Sequence, residues 1–467
     1  MHNLPDDLLI LLVPMWSKQE INADSNYVVN TQFVKAMSER HPGWRFLYPF
    51  PDKASGFAYV DDGFFRRESV FRFPMRVHQR KNASSVAWDP AFWEQVLIRH
   101  APDVVVSSLP ETAHHMQYAL AGAAIHPVPV IATHHWVIHD TLETPPEDLL
   151  WSQMSGSACS RINVWNSNYT EKLFLDGARR LISAEQIEKI RSTGRLNYYG
   201  VLDRSAFDHA VDHDVDIPII AYNHRLQGYK RWRDTFSLLD EIHKDGHRFK
   251  LRYMSNCMER VVEIRKYPWV EIAICNTRTD YLDALRGCHL NVTNAKYETF
   301  CIAAAESMAF GQPLIAPRGV TFREITNDEQ ERYDWLYTSR SEQKAQIIQA
   351  ITDKESRKKH GKVLRDFVLG NFTHQPWAER WDKILAEVKY VDTASTAEET
   401  LTGIRRVVSE TMTLKDAKNA VYRMKIGGKT ALSNQSCPTF RLVRMLRRLG
   451  YKFRFQRGER IVVPPGA

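Results

Sequence analysis

Glu298 and Glu306 stand with seven residues between them in the run Asn291–Pro317, NVTNAKYETFCIAAAESMAFGQPLIAP. The order of apolar and polar residues predicts a buried strand, a short loop, a helix over Thr299–Phe310, a tight turn and a second strand over Pro313–Pro317. One carboxylate then precedes the helix and the other lies inside it. The first turn of a helix offers unpaired backbone N–H groups and the positive end of the helix dipole, and both attract phosphate. Carboxylates on either side accept hydrogen bonds from hydroxyl groups. A diphosphate beside several hydroxyls is the chemistry of a sugar nucleotide.

Such residues need a scaffold of strands whose ends converge. Apolar runs at Leu8–Pro14, Trp44–Pro49, Val104–Ser107, Val128–Thr133 and Ile162–Trp165 alternate with helical stretches such as Tyr27–Glu39, His114–Ile125, Glu147–Ser155 and Ala184–Arg191. This alternation predicts a doubly wound parallel α/β sheet. Polar residues gather at Val211–Asp216, and a second series follows: strand Ile217–Tyr222, helix Arg231–Lys244, strand Phe249–Tyr253, helix Asp280–Arg286 and strand Leu290–Thr293. The expected units are residues 1–211 and 212–392, the second closing with a helix at Pro376–Val388, and a small third unit over 397–467 after the polar linker Thr393–Thr400. Two consecutive open α/β domains leave a cleft between their strand ends for a ligand.

Several classes are disfavoured. No GxGxxG follows Leu8–Pro14 and no GxxxxGK[ST] occurs, which counts against dinucleotide and P-loop sites. The longest apolar run, Leu8–Val13, is strand-sized, so no transmembrane segment is expected. The N-terminus carries Asp6 and Asp7 in place of a basic region, which argues against a secretory signal. Cys159, Cys257, Cys275, Cys288, Cys301 and Cys437 form no CxxC pair and have no histidine at zinc spacing, so reduced thiols, no metal site and a cytoplasmic location are expected.

Residues Glu298–Ile325 resemble the donor-site signature of retaining GT-B glycosyltransferases, especially the large family four. Glu298, Phe300, Glu306, Met308, Ala309, Gly311, Pro313, Glu324 and Ile325 fall in register with it, while Thr299 and Cys301 replace two glycines. The resemblance implies that Glu298 holds sugar hydroxyls and Glu306 the ribose, with Thr299, Phe300, Cys301 and Ile302 completing the donor site. Their larger side chains at the glycine positions would narrow the approach to the donor. After strand Ile217–Tyr222, Arg225 and Lys230 match the family's Arg and Lys, which neutralise the departing diphosphate. In Thr133-His134-His135-Trp136, His135 is the better match to the family's strand-end histidine, and its neighbour His134 stays open. Where many members have Gly-Gly after the first strand, this chain has Met15-Trp16-Ser17-Lys18-Gln19-Glu20, a loop expected to face the acceptor. The resemblance further implies a nucleotide-sugar donor, most simply a UDP-sugar, retention of configuration and no metal.

The charge is uneven along the chain. Residues 411–467 hold thirteen Lys and Arg against two Asp and Glu, a net of +11 in a chain whose total is +8. The pattern there predicts helices at Glu398–Glu410 and Leu414–Met424, then a helix at Thr439–Leu449 opened by Pro438 and stopped by Gly450. Arg441, Arg444, Arg447 and Arg448 share one arc of that helix and Leu442, Val443, Met445, Leu446 and Leu449 the opposite one. Tyr451–Phe455 and Arg460–Val463 then read as a hairpin carrying Lys452, Arg454 and Arg457. The order resembles a winged helix-turn-helix, which places the basic helix in the major groove and the hairpin along the phosphates. The expectation is therefore a glycosyltransferase acting on a modified base in double-stranded DNA, as phage DNA-modifying enzymes do, in the cytoplasm of an infected bacterium. The alternative is a lipid or cell-envelope glycosyltransferase held at a membrane surface by the same basic helix.

Overall fold

The computed structural model describes residues 4–14, 25–51, 69–75, 90–100, 102–123, 128–137, 147–200, 202–255, 261–388, 402, 404–423, 425–426, 429–430, 446, 451–456 and 459–465. Seven parallel strands build the first sheet: β1 Leu9–Val13, β2 Arg45–Pro51, β3 Val70–Met75, β4 Val104–Ser107, β5 Val130–His134, β6 Ile162–Trp165 and β7 Gly194–Leu196. Their order is β3-β2-β1-β4-β5-β6-β7. Ile10, Leu11 and Leu12 of β1 are fully buried. A parallel strand covered on both faces has no solvent side, which is why LILLV shows no polar alternation.

The second sheet is also parallel. It contains β8 Ile219–Tyr222, β9 Lys250–Ser255, β10 Val270–Ile274, β11 Leu290–Val292, β12 Leu314–Pro317 and β13 Leu336–Tyr337 in the order β10-β9-β8-β11-β12-β13. The chain leaves β8 for β9 on one side and returns to β11 on the other. The carboxyl ends of β8 and β11 therefore border a crevice at the switch point. Gly311 has φ +82° in the turn before β12, a left-handed conformation that glycine adopts without steric cost.

The helix His374–Ala386 follows the second series of strands and packs on the helix Ser25–Arg40 of the first. The Phe33 ring meets Trp381 at 4.9 Å and Trp377 at 6.1 Å between centroids. Arg40 and His41 both engage the buried Asp382, His41 Nε2 at 2.7 Å. Gly200 lies so close to this helix that an added Cβ would sit 2.0 Å from Trp377 Cβ. The two units are thus tied by packed aromatic rings and by the contacts to Asp382.

Beyond residue 404, β14 Met412–Thr413, β17 Lys452–Gln456 and β18 Glu459–Val463 form an antiparallel sheet in the order β14-β18-β17, and β15 Lys425–Ile426 pairs with β16 Lys429–Thr430. Thr413 Oγ1 accepts the Asp416 N–H at 3.1 Å and caps the helix Leu414–Arg423. Ile404, Val408, Ala417, Val421, Leu446, Tyr451, Val462 and Val463 are buried. Lys452 is exposed at the start of β17, and Arg454 pairs with Ile461 in the hairpin. Arg441, Arg444, Arg447, Arg448, Arg457, the loop Met15–Glu20 and the linker Thr393–Thr400 lie outside the described residues. Among the described residues no helix is long and apolar enough to cross a membrane.

Candidate active site

The switch point gathers the residues that the sequence singled out in the second unit. The segment after β8 carries Asn223, His224, Arg225 and Lys230; the segment after β11 carries Glu298 and Cys301. Lys230 and Glu298 form an ion pair across this crevice, with both side chains nearly covered. Burial by itself would strip the proton from an ammonium group. The adjoining Glu298 carboxylate outweighs it, and the Lys230 pKa is held above the ordinary lysine range. Arg225 is exposed, and among the described residues its side chain has no hydrogen-bond or ion-pair partner. One cation is therefore preset against a carboxylate and the other stands open to solvent.

The helix that was expected over Thr299–Phe310 begins at Ile302 and ends at Ala309. Cys301 has φ +65°, so the backbone turns left-handed there and cannot belong to the helix. The helix faces the site with Glu306, which is 2% exposed. Arg278 pairs with it, and Tyr281 Oη donates to Oε2 at 2.7 Å. Arg278 and Tyr281 lie three residues apart in the first turn of the helix Arg278–Arg286, on one face. That spacing is visible in the sequence but has no meaning until Glu306 is placed opposite. Asn223 Nδ2 reaches Tyr281 Oη and the Ala303 carbonyl, each at 2.9 Å, and locks the β8 end to both helices.

The glycine-replacing residues take different directions. Thr299 Oγ1 donates to the His135 carbonyl at 2.9 Å, and the Thr299 carbonyl accepts from Ser167 Oγ at 2.6 Å and Thr170 Oγ1 at 3.2 Å. Its side chain thus joins the two units. Phe300 is 1% exposed and packs among Phe372, Tyr199 and Tyr198, with the Phe372 ring at 5.0 Å. Its ring belongs to the core, so only its backbone is available to a ligand. Ile302 is half-buried at the helix start. Cys301 is buried beside Glu298, and its thiol pKa is pushed well up by burial and by that carboxylate.

His134 and His135 separate cleanly. His134 is fully buried at the end of β5, stacked on Trp165 at 3.6 Å and paired with Asn163 Oδ1 at 3.1 Å. Burial lowers its pKa to about 3, and its place is in the packing of the first sheet. His135 turns the other way, with Nδ1 2.7 Å from Tyr199 Oη, and burial lowers its pKa to about 4. It is a neutral imidazole at physiological pH. Its carbonyl is already used by Thr299 and by Asn166 Nδ2.

A second set of contacts joins the units beside this site. Tyr297 Oη donates to the Val137 carbonyl at 2.9 Å. Glu324 accepts the backbone N–H groups of Asn168 at 2.8 Å and Tyr169 at 2.7 Å, plus Tyr198 Oη at 3.0 Å. The carboxylate of one unit thereby sits on the N-terminus of the helix Asn168–Ala178 of the other, where the dipole favours negative charge. Sequence reading placed Glu324 in a signature without seeing this partner, because Ser167–Tyr169 is more than 150 positions away. His224 likewise carries no local signature. It is buried beside Lys230 and Glu298, and among the described residues Nε2 has no hydrogen-bond partner.

Residues 272–366 match the family model described as Glycosyl transferases group 1. No curated protein matches the chain by sequence. Among solved structures, the chain is similar to Anabaena Alr3699/HepE in complex with UDP and glucose, with a TM-score of 0.61 and 13% identity over 82% of this chain and 100% of that one. It is similar to sucrose-phosphate synthase from Thermosynechococcus elongatus, with a TM-score of 0.60 and 15% identity over 85% of this chain and 99% of that one. A third similar structure is a trehalose-6-phosphate protein of E. coli bound with UDP-2-fluoro glucose, with a TM-score of 0.56 and 11% identity over 82% and 100%. The chain therefore has a two-domain GT-B fold in which residues 272–366 match glycosyl transferases of group 1, the make-up of a sugar-transferring enzyme.

Proposed function

We propose that the chain transfers a sugar from a nucleotide-sugar donor, a UDP-sugar, to a hydroxyl on a modified base in double-stranded DNA, with retention and without a metal. The observation that carries the donor half is the Lys230–Glu298 pair at the switch point, whose Glu298 lies in the segment that matches glycosyl transferases. The similar structures named with UDP, glucose and UDP-2-fluoro glucose support the choice of donor.

In this reading the diphosphate draws Lys230 away from Glu298 and takes Arg225 as its second cation. Charge builds on the leaving phosphate oxygens as the sugar bond breaks, so fixed cations there lower the barrier more than they tighten the ground state. Glu298, released from Lys230, accepts from the sugar hydroxyls. Glu306 accepts from the ribose, held in aim by Arg278 and Tyr281. His135 acts as a neutral hydrogen-bonding group, since its imidazole carries no charge at neutral pH. By analogy with retaining relatives, the donor's own phosphate takes the acceptor proton.

The acceptor half rests on the +11 tail. The sheet order β14-β18-β17, with the helix Leu414–Arg423 entering after β14, supports a winged helix-turn-helix. Lys452 and Arg454 would follow the phosphates, and Arg441, Arg444, Arg447 and Arg448 would face the groove. A base inside the duplex is out of reach of a cleft, so it must be flipped into it.

The test is mass spectrometry of duplex DNA carrying hydroxylated bases after incubation with the full chain and a panel of nucleotide sugars. A mass gain of one sugar per modified base is expected. Flotation of the protein with anionic liposomes, with no DNA binding and no mass gain, would replace the DNA reading by the membrane-surface one.

A further inference from the structure

We propose that His224, Glu298 and Cys301 form a binding site for a soft divalent cation of the Zn²⁺ class, and that the cation competes with Lys230 for Glu298. One ligand atom from each residue, an imidazole nitrogen, a carboxylate oxygen and a sulfur, lie within 4.8 Å of one another. Zinc bonds of roughly 2.0–2.3 Å in a tetrahedron separate neighbouring ligand atoms by about 3.5 Å, so closing the set takes shifts on the order of an ångström. Imidazole, carboxylate and thiolate together suit zinc or cobalt better than magnesium or calcium, which select all-oxygen shells.

The second observation is the state of His224. Its side chain is buried at the end of β8, and among the described residues Nε2 is left without a partner, in a site otherwise dense with polar groups. A buried polar atom of this kind is destabilising unless something binds it. Burial and the nearby Lys230 ammonium keep the imidazole unprotonated, which is the form that ligates. Cys301 is a free thiol fixed by its left-handed backbone against Glu298, and the switch point brings both loops to His224. None of this is readable as a metal spacing, because His224 and Cys301 come from opposite sides of the strand reversal.

Lys230 is the obstacle and also the signature. The pocket now holds one cation, the ammonium paired with Glu298. On binding, the Cys301 S–H bond breaks and its proton leaves to solvent; the thiolate, the carboxylate and neutral His224 bind the metal, and the ammonium moves off Glu298. One water fills the fourth position. The cation site does not depend on the function proposed above. Its consequence does: a metal on Glu298 excludes the donor sugar, so Zn²⁺ would inhibit transfer in competition with the nucleotide sugar.

Cobalt(II) titration of the full chain tests the site. A thiolate-to-cobalt absorption band saturating at one equivalent, and abolished by excess Zn²⁺, is expected. Cys301→Gly should remove the band, and His224→Gln should weaken binding at least tenfold. Lys230→Met should tighten it by about tenfold, an outcome that an unrelated surface thiol site does not produce. No band in the wild type, or a band that survives in Cys301→Gly, overturns the proposal. A Cys301-dependent band together with donor binding unaffected by Zn²⁺ keeps the cation site and overturns the placement of the donor sugar on Glu298.

Discussion

Lys230 and Glu298 are buried partners drawn from opposite sides of the β8–β11 switch, 68 positions apart. Both side chains are nearly covered, so removing one strands the other in the interior. Lys230→Ala should lower the unfolding free energy by about 3–5 kcal/mol, because an unpaired carboxylate remains in the interior. The double variant Lys230→Met with Glu298→Gln should recover most of that loss, since both charges leave together. Transfer activity should be lost in both. The contribution of the pair is complete below the ordinary lysine pKa and fades only as pH climbs through the raised value in the fold. Denaturant unfolding at neutral pH, paired with a transfer assay, separates the two effects. Equal stability of single and double variants would show that the pair does not act as a unit.

Glu324 holds the two domains together through the N-terminus of the helix Asn168–Ala178. It satisfies two backbone N–H groups and the Tyr198 hydroxyl at once. Hydrogen bonds to a charged acceptor contribute about 1.5–3 kcal/mol each, and water can replace only those that become exposed. Glu324→Ala should therefore cost about 3 kcal/mol and Glu324→Gln clearly less, because the amide oxygen still accepts. Thermal unfolding of the two variants side by side checks the order. A wild-type melting temperature in Glu324→Ala would remove the clamp from the account.

The sequence was most readable where strands are central. β1, β4, β5, β6, β8, β11 and β12 are short apolar runs buried on both faces and bounded by turn residues, a pattern that reads as central strand. In the two parallel sheets the strands it did not reveal, β3, β7, β10 and β13, are the four edges. Edge strands are short or carry polar residues and proline, as Arg72 and Pro74 in β3 and Glu271 in β10 illustrate. The same division holds in the site. Glu298, Glu306, Arg225 and Lys230 stand in a local spacing that the chain displays directly. His224, Arg278, Tyr281 and Ser167 acquire meaning only when the switch point and the domain contact bring distant loops together. The direction of Thr299, out of the pocket and onto His135, was likewise invisible before the first sheet was placed beside it.

Cys301 occupies a backbone conformation with φ +65° in which a side chain is strained. A β-branched residue fits there least. Cys301→Val should destabilise by about 2 kcal/mol or more, while Cys301→Gly should change stability by about 1 kcal/mol at most, because relief of strain offsets lost packing and added chain freedom. Chemical denaturation of both variants tests the ordering. A valine variant as stable as the glycine variant would contradict the left-handed turn before the helix.

His289 links acid sensitivity to the second sheet. Its Nδ1 accepts the Ile219 N–H at 3.0 Å at the start of β8, so the bond exists only while that nitrogen is unprotonated. Burial, with Arg357 and His213 nearby, lowers its pKa to about 4. A free histidine titrates near 6.5, at about that pH. Below it the unfolded chain takes up the proton first, so this residue's stabilisation is full above about pH 6.5 and is lost as pH falls toward 4. Glu111, raised to about 7 by burial, acts with the opposite sign over part of the same range. The informative quantity is therefore the difference between wild type and His289→Gln, whose amide oxygen can still accept. That difference should shrink steadily from pH 6.5 to 4, and parallel stability curves would exclude the role.

Lys452 begins the strand β17 with an exposed side chain, and Arg454 follows two positions later in the strand. If the hairpin follows a phosphate backbone, each cation releases about one counterion on binding. Lys452→Ala with Arg454→Ala should then reduce the slope of log affinity against log salt by about two, with nearly the same loss for every duplex sequence. Transfer to a free modified nucleoside should be unchanged, because that acceptor reaches the cleft without the tail. An unchanged salt slope for duplex DNA would place the phosphates elsewhere. A loss of transfer to the free nucleoside would instead mean that the tail contributes to the cleft itself.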